Sequence, residues 1–210
     1  MEKIIEFLVE PYRLNETYLI VLEILAAGFG ILSVIYSRLE NILVYPTGLI
    51  STGIYVYLLN IYELRGDMVI NAYFFVMSIY GWYNWSKAMK GTTSVVKITR
   101  TNQKEKLIGI LIFFTGMIFV FTAYKIFNTK ITYITYLDSW NTAIFFVAMW
   151  YMALKKLENW TLWIVGNIIS IPLYLIKGLG FTAIQYTIFL ILAIMGYIEW
   201  KKHMVLEMKN

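Results

Sequence analysis

Trp160, Trp163 and Asn167 lie in the stretch ENWTLWIVGN (158–167), two indoles and an amide inside an otherwise apolar run. On a helix they fall at i, i+3 and i+7 and share one face, which Ser170 and Tyr174 continue. An indole stacks on aromatic rings and holds a cation over its face. A carboxamide both donates and accepts hydrogen bonds, and hydrocarbon offers it no partner. Together these groups suit a planar heterocycle, neutral or cationic, with hydrogen-bonding substituents. Two other readings stand beside this one: Trp160 as an ordinary interfacial anchor, and Asn167 and Ser170 as contacts between helices. A second stripe runs through Asn71, Phe75, Ser78, Trp82 and Trp85. There Asn71 is a candidate polar contact, while Trp82 and Trp85 read as anchors. Gln185 and Glu23 are further candidates, each a polar group in apolar surroundings. Glu23 also reads as a shallow residue reaching the outer interface.

The elements that carry these residues follow from composition. The chain has 210 residues, 60% of them hydrophobic and 15% charged. A soluble domain carries roughly 25% charge, so this apolar excess exceeds what one buried core absorbs. Aromatic residues reach 18%, which suits membrane-interface belts. The absence of cysteine excludes disulfides, thiolate metal sites and a cysteine nucleophile. The single histidine, His203, sits in a polar tail, which leaves no basis for a zinc site or histidine catalysis. No cluster of His, Asp or Glu falls at one depth, so an enzyme is not expected, nor a cofactor or metal. The net charge of +5 comes from residues between apolar runs. There they set membrane topology rather than bind nucleic acid.

A helix needs about 20 mainly apolar residues to cross a bilayer. Seven spans qualify, at about 18–37, 42–60, 68–86, 106–124, 137–154, 160–177 and 181–199. An interfacial segment at 1–17 precedes them. Residues 18–86 make a first three-helix unit, 87–130 a basic cytoplasmic loop with a linking helix, 131–200 a second three-helix unit, and 201–210 a cytoplasmic tail. Six Lys and Arg fall on the side of the N-terminus and twelve on the other. The positive-inside rule therefore puts the N-terminus outside and the C-terminus in the cytoplasm. Asn167 then lies roughly 13 Å deep, near the bilayer centre.

The two units repeat. RLENILVYPTG (38–48) matches KLENWTLWIVG (156–166) at an offset of 118, and YFFVMSIYGWYNW (73–85) matches IFLILAIMGYIEW (188–200) at 115. In the first register Ile42, Tyr45 and Leu49 stand where the second unit has Trp160, Trp163 and Asn167, and Asn141 is the partner of Glu23. Three helices per unit invert the second copy, and an intervening helix restores its direction. The expected fold is an all-α membrane protein of seven transmembrane helices, arranged as 3+1+3 parallel repeats with a substrate site between them. Pro46 and Pro172, with Gly48 and Gly166 nearby, are expected to kink the second and sixth spans.

The seven spans, the repeats, W-x-x-W-x-x-x-N at 160–167 and FLILAIMGYIEWKK at 189–202 together resemble the PnuC family of vitamin transporters. The resemblance implies a fold similar to SWEET sugar transporters and facilitated uptake of nicotinamide riboside across the inner membrane, without a coupling ion. It implies a homo-oligomer, often a trimer, and a cytoplasmic kinase that traps the product. Trp160, Trp163 and Asn167 become ligand contacts; Gln185 and Asn71 match no fixed family motif. Similar family members carry thiamine or riboflavin, so these remain alternatives, as does proton coupling through Glu23.

Overall fold

The computed structural model describes residues 16–62, 65–90, 97–127, 131–177 and 180–207. These residues form seven helices: α1 (Thr17–Arg38), α2 (Val44–Ile61), α3 (Arg65–Lys90), α4 (Gln103–Ile126), α5 (Tyr133–Ala153), α6 (Glu158–Ile176) and α7 (Gly180–Glu207). Each falls on one of the seven expected spans. Of the expected interfacial segment at 1–17, residues 1–15 lie outside the described residues, as do 91–96 of the basic connection. Of the expected tail at 201–210, residues 201–207 continue the last helix and 208–210 lie outside the described residues. Four helices, α1, α4, α6 and α7, are long and apolar enough to cross a membrane. α5 differs: most of its residues are buried inside the protein, including Asp138, Ser139, Asn141 and Thr142. A helix largely enclosed by protein can carry such polar groups because neighbouring helices supply their partners.

Helix packing closes a ring. α1 packs on α2, α2 on α3, α3 on α5, α5 on α6, α6 on α7, and α7 back on α1. α4 lies outside this ring against α5, with Leu107, Leu111, Phe114 and Ile118 exposed on its outer face.

One end of the ring is built around rings seated on glycines. A Cβ on Gly81 would lie 2.3 Å from the Tyr45 ring, and one on Gly196 would lie 2.6 Å from the Trp160 indole. Tyr45 meets Trp85 edge-on at 5.2 Å, and Trp160 meets Trp200 edge-on at 5.5 Å. Tyr45 and Trp160, Gly81 and Gly196, and Trp85 and Trp200 are each 115 positions apart. The packing therefore pairs Trp160 with Tyr45, not with Ile42. Trp85, expected as an interfacial anchor, is buried in this cluster.

The corners beside the cluster obey the same register. Two residues beyond the end of α1 stands Glu40 at φ 55°, and two beyond the end of α5 stands Lys155 at φ 51°. The left-handed conformation costs a non-glycine residue free energy and persists where the surroundings fix it. Here Asn41 N–H bonds back to Tyr36 C=O, and Lys156 N–H to Tyr151 C=O. α2 begins only at Val44, so Pro46 sits in the first turn, where its missing N–H breaks no helical bond. The kink expected at Pro46 is thus not required, whereas Pro172 does lie within α6. The stretch before α4 docks on the second corner: Thr99 N–H bonds to Lys155 C=O, and Leu157 N–H to Thr99 C=O. Asn102 and Glu105 form a reciprocal cap on α4, and Glu105 also holds Lys156 at 2.7 Å.

The two strained residues meet each other. The Lys155 ammonium lies 2.9 Å from Glu40, whose other oxygen is 2.7 Å from His203 Nδ1. Burial pushes the Glu40 carboxyl up, but hydrogen bonds and charge from His203 and Lys155 outweigh it and hold the carboxyl below its ordinary value of 4.5. A carboxyl depressed in the folded state stabilises above its unfolded value and loses that stabilisation as pH falls through the folded one. The thermal midpoint in detergent is expected to fall as pH drops below about 4.5, and Glu40→Gln is expected to flatten that slope. An unchanged slope in Glu40→Gln would count against this contact.

Candidate functional site

The ring encloses a cavity of about 500 Å³. Its wall includes Glu23, Asn71, Trp160, Trp163, Asn167, Tyr174 and Gln185, so seven of the eight residues singled out in the sequence converge on it. Ser170 is the exception. It is fully buried, and its hydroxyl accepts the Asn141 amide at 2.7 Å. Its expected role as a ligand contact is corrected to one behind the wall, where it fixes Asn141. Glu23, the shallow candidate, is among the lining residues.

Polar atoms without partners concentrate on this wall. Ser37 Oγ, Tyr45 Oη, Asn141 Oδ1, Trp160 Nε1 and Asn167 Oδ1 are buried with no hydrogen-bond partner, and all five residues line the cavity. A buried polar atom left unpaired costs roughly 1–3 kcal/mol, so such atoms are normally satisfied by protein, water or ligand. Asn167 is 1% exposed and Asn141 3%, so access to both is from the cavity alone.

Trp163 is held in an aromatic wall. Its indole lies 5.0 Å from Phe145 and 6.3 Å from Phe74, between centroids. Phe145 fits because residue 166 is glycine: a Cβ there would come within 2.2 Å of the Phe145 ring. Phe145 stacks on Tyr186 at 6.1 Å, and Tyr186 on Tyr174 at 4.9 Å. The register of 115 puts Gly30 and Gly48 where the second half has Phe145 and Trp163, and Thr52 where it has Asn167. The Trp163, Phe145, Tyr186 and Tyr174 rings of the wall thus come from the second half, with Phe74 joining them from the first. Trp160 has an aromatic counterpart in Tyr45 and is wedged on Gly196, so its first duty is packing.

Gln185 accepts the Tyr55 hydroxyl at 3.3 Å, and the Asn71 amide donates to Asp67 C=O at 3.0 Å. Asp67 and Asp138 also line the cavity, at the end away from the Glu40 corner, and were not singled out in the sequence. Glu23 and Asp138 are 115 positions apart, which replaces Asn141 as the counterpart of Glu23.

Residues 20–202 match the profile of a family described as nicotinamide mononucleotide transporter. The chain belongs to that family. Among similar members, the nicotinamide riboside transporter PnuC of Escherichia coli is 26% identical over 193 residues, covering 81% of each chain. That of Neisseria mucosa is 29% identical over 189 residues, covering 84% of this chain and 70% of the relative. The riboflavin/roseoflavin transporter RibM of Streptomyces davaonensis is 25% identical over 146 residues, 66% of this chain and 65% of its own length. The crystal structure of the vitamin B3 transporter PnuC superposes with a TM-score of 0.69 at 27% identity, covering 87% of this chain and 81% of that one. This member of the transporter family is therefore a multi-pass membrane protein, and its cavity is the place to look for cargo.

Sequence reasoning missed Phe145, Asn141, Asp138 and Asp67 as wall residues. A signal for Asp138 and Asn141 was present: at i and i+3 they share a helix face.

Proposed function

We propose that the chain carries nicotinamide riboside across the inner membrane by facilitated diffusion. The observation that carries this is Asn167 Oδ1, buried and unpartnered beside the Trp163–Phe145 wall. A nicotinamide ring has a flat face for that wall and a carboxamide to pair with Asn167, and the ribose hydroxyls suit Gln185, Asn71 and Asn141. Trp163, Asn167, Gln185, Asn71, Tyr174 and Glu23 are the proposed contacts, with Trp160 closing one end and Ser170 positioning Asn141. Support comes from relatives named nicotinamide riboside transporters. Charge supports the nucleoside over its phosphate. Among the described residues lining the cavity are Glu23, Asp67 and Asp138, with no Lys, Arg or His among them, and the adjacent Lys177 ammonium is already paired with Asp138 at 3.0 Å.

In this reading seven helices cross the membrane as two parallel three-helix repeats joined by α4, with the N-terminus outside. Copies assemble as a trimer, and no ion is coupled. The likeness to RibM favours riboflavin as the second reading. Binding to purified protein is expected to rank nicotinamide riboside above thiamine and riboflavin, and nicotinamide mononucleotide last. Riboflavin as the tightest ligand would move the assignment to the second reading. No binding of any of the four below about millimolar would sink the vitamin reading altogether.

A further inference from the structure

We propose that Asp67, Asp138 and the Tyr174 ring form a capture site for the positively charged ring of the cargo, and that the Lys177 ammonium is a tethered competitor for it. This rests on the transport reading above.

Asp67 stands in the first turn of α3 and faces the cavity. Among the described residues its carboxylate makes no hydrogen bond or ion pair. Asp138 is 6% exposed, accepts the Tyr124 hydroxyl, and holds the Lys177 ammonium at 3.0 Å. That ammonium also lies 5.0 Å above the Tyr174 ring. The cation thus sits between the Asp138 carboxylate and an aromatic face, and it pairs with one of the two carboxylates only. A pyridinium ring seeks that same pairing. Asn141, one turn deeper than Asp138 on the same face of α5, is 3% exposed and turns an unpartnered Oδ1 to the same cavity.

Tyr174 links this end to the aromatic wall, because its ring lies under the ammonium that Asp138 holds and stacks on Tyr186. From Tyr174 the rings continue through Tyr186 and Phe145 to Trp163. A cation drawn to the carboxylates therefore meets π faces all the way to Asn167. The counterpart position in the first half has Glu23 without the lysine, since residue 62 is tyrosine where residue 177 is lysine. The competitor is confined to the half that supplies most of the aromatic wall. An ammonium fixed beside one carboxylate weakens the site's pull on a second cation, and the free Asp67 charge restores it.

The test is equilibrium binding to the full chain in detergent, with nicotinamide riboside and its uncharged dihydro form as probes. Asp67→Asn is expected to weaken the cationic probe at least about tenfold and to leave the uncharged one within about twofold. Lys177→Met is expected to tighten the cationic probe without helping the uncharged one. Asp67→Glu, which keeps the charge, is expected to bind close to wild type. Thermal midpoints establish that each variant is folded. Asp67→Asn weakening both probes alike, or neither, overturns the proposal, as does Lys177→Met weakening the cationic probe. Wild-type protein that binds neither probe would instead overturn the transport reading, and this proposal with it.

Discussion

Asn167→Ala is expected to weaken nicotinamide riboside binding by one to two orders of magnitude, the equivalent of about 1–3 kcal/mol for a buried hydrogen bond. The amide is 1% exposed and its Oδ1 has no protein partner, so truncation removes a contact made to cargo rather than one made to the fold. The folded protein is expected to keep its thermal midpoint, or to gain slightly, because a buried unsatisfied oxygen disappears. Ser170→Ala makes a useful contrast. It removes the acceptor of the Asn141 amide behind the wall and should lower stability together with affinity. Isothermal titration alongside thermal melts separates the two. An Asn167→Ala protein with wild-type affinity would remove this residue from the site.

Gly196→Ala is expected to destabilise the fold by about 1–3 kcal/mol, the usual cost of overpacking. The new methyl would sit 2.6 Å from Trp160 Cζ2. The indole cannot retreat, because it is 1% exposed and braced edge-on by Trp200 at 5.5 Å. Gly28 provides the control: a Cβ there has nothing within 4 Å, so Gly28→Ala should be neutral or mildly stabilising. Adding Trp160→Phe to Gly196→Ala shrinks the ring and should recover part of the loss. Equal melting of Gly196→Ala and Gly28→Ala would show that the wedge is not tight.

The helices were readable because each is a long run rich in apolar residues, four of them long and apolar enough to cross a membrane. Even α5 was readable, since a helix enclosed by protein is as apolar as one facing lipid over most of its length. The register of the two halves was readable only in part. Identical letters, Leu-Glu-Asn at 39–41 and 157–159, suggested an offset of 118. The fold instead repeats a left-handed corner and a ring wedged on a glycine, and those physical requirements recur at 115. Glu40 and Lys155 share the corner while sharing no chemistry, so letter matching could not pair them. The correction narrows the asymmetry of the site: Trp160 is the counterpart of Tyr45, whereas Trp163, Phe145 and Asn167 replace Gly48, Gly30 and Thr52. Trp163 and Asn167 were expected together because they share one helix face, whereas Gln185 stood out only as an amide in apolar surroundings. Which face of α5 meets the cavity was not legible, because its exposed face, Tyr133, Tyr136, Leu137 and Trp140, is as apolar and aromatic as its buried one and gives no polar stripe to orient it.

The corner pair also bears on how chains sort themselves during assembly. Glu40 and Lys155 hold equivalent places in the two halves and carry opposite charges, 2.9 Å apart. Were two first halves from neighbouring chains to pair, Glu40 would confront Glu40; two second halves would set Lys155 against Lys155. Each mispairing buries like charges, which costs several kcal/mol in a site this enclosed. The same holds for shape: the Phe145 ring needs Gly166 beneath it, and the first half offers Ser51 in that place. A halved gene expressed as two fragments should therefore reunite as unlike pairs, with each fragment rejecting its own kind.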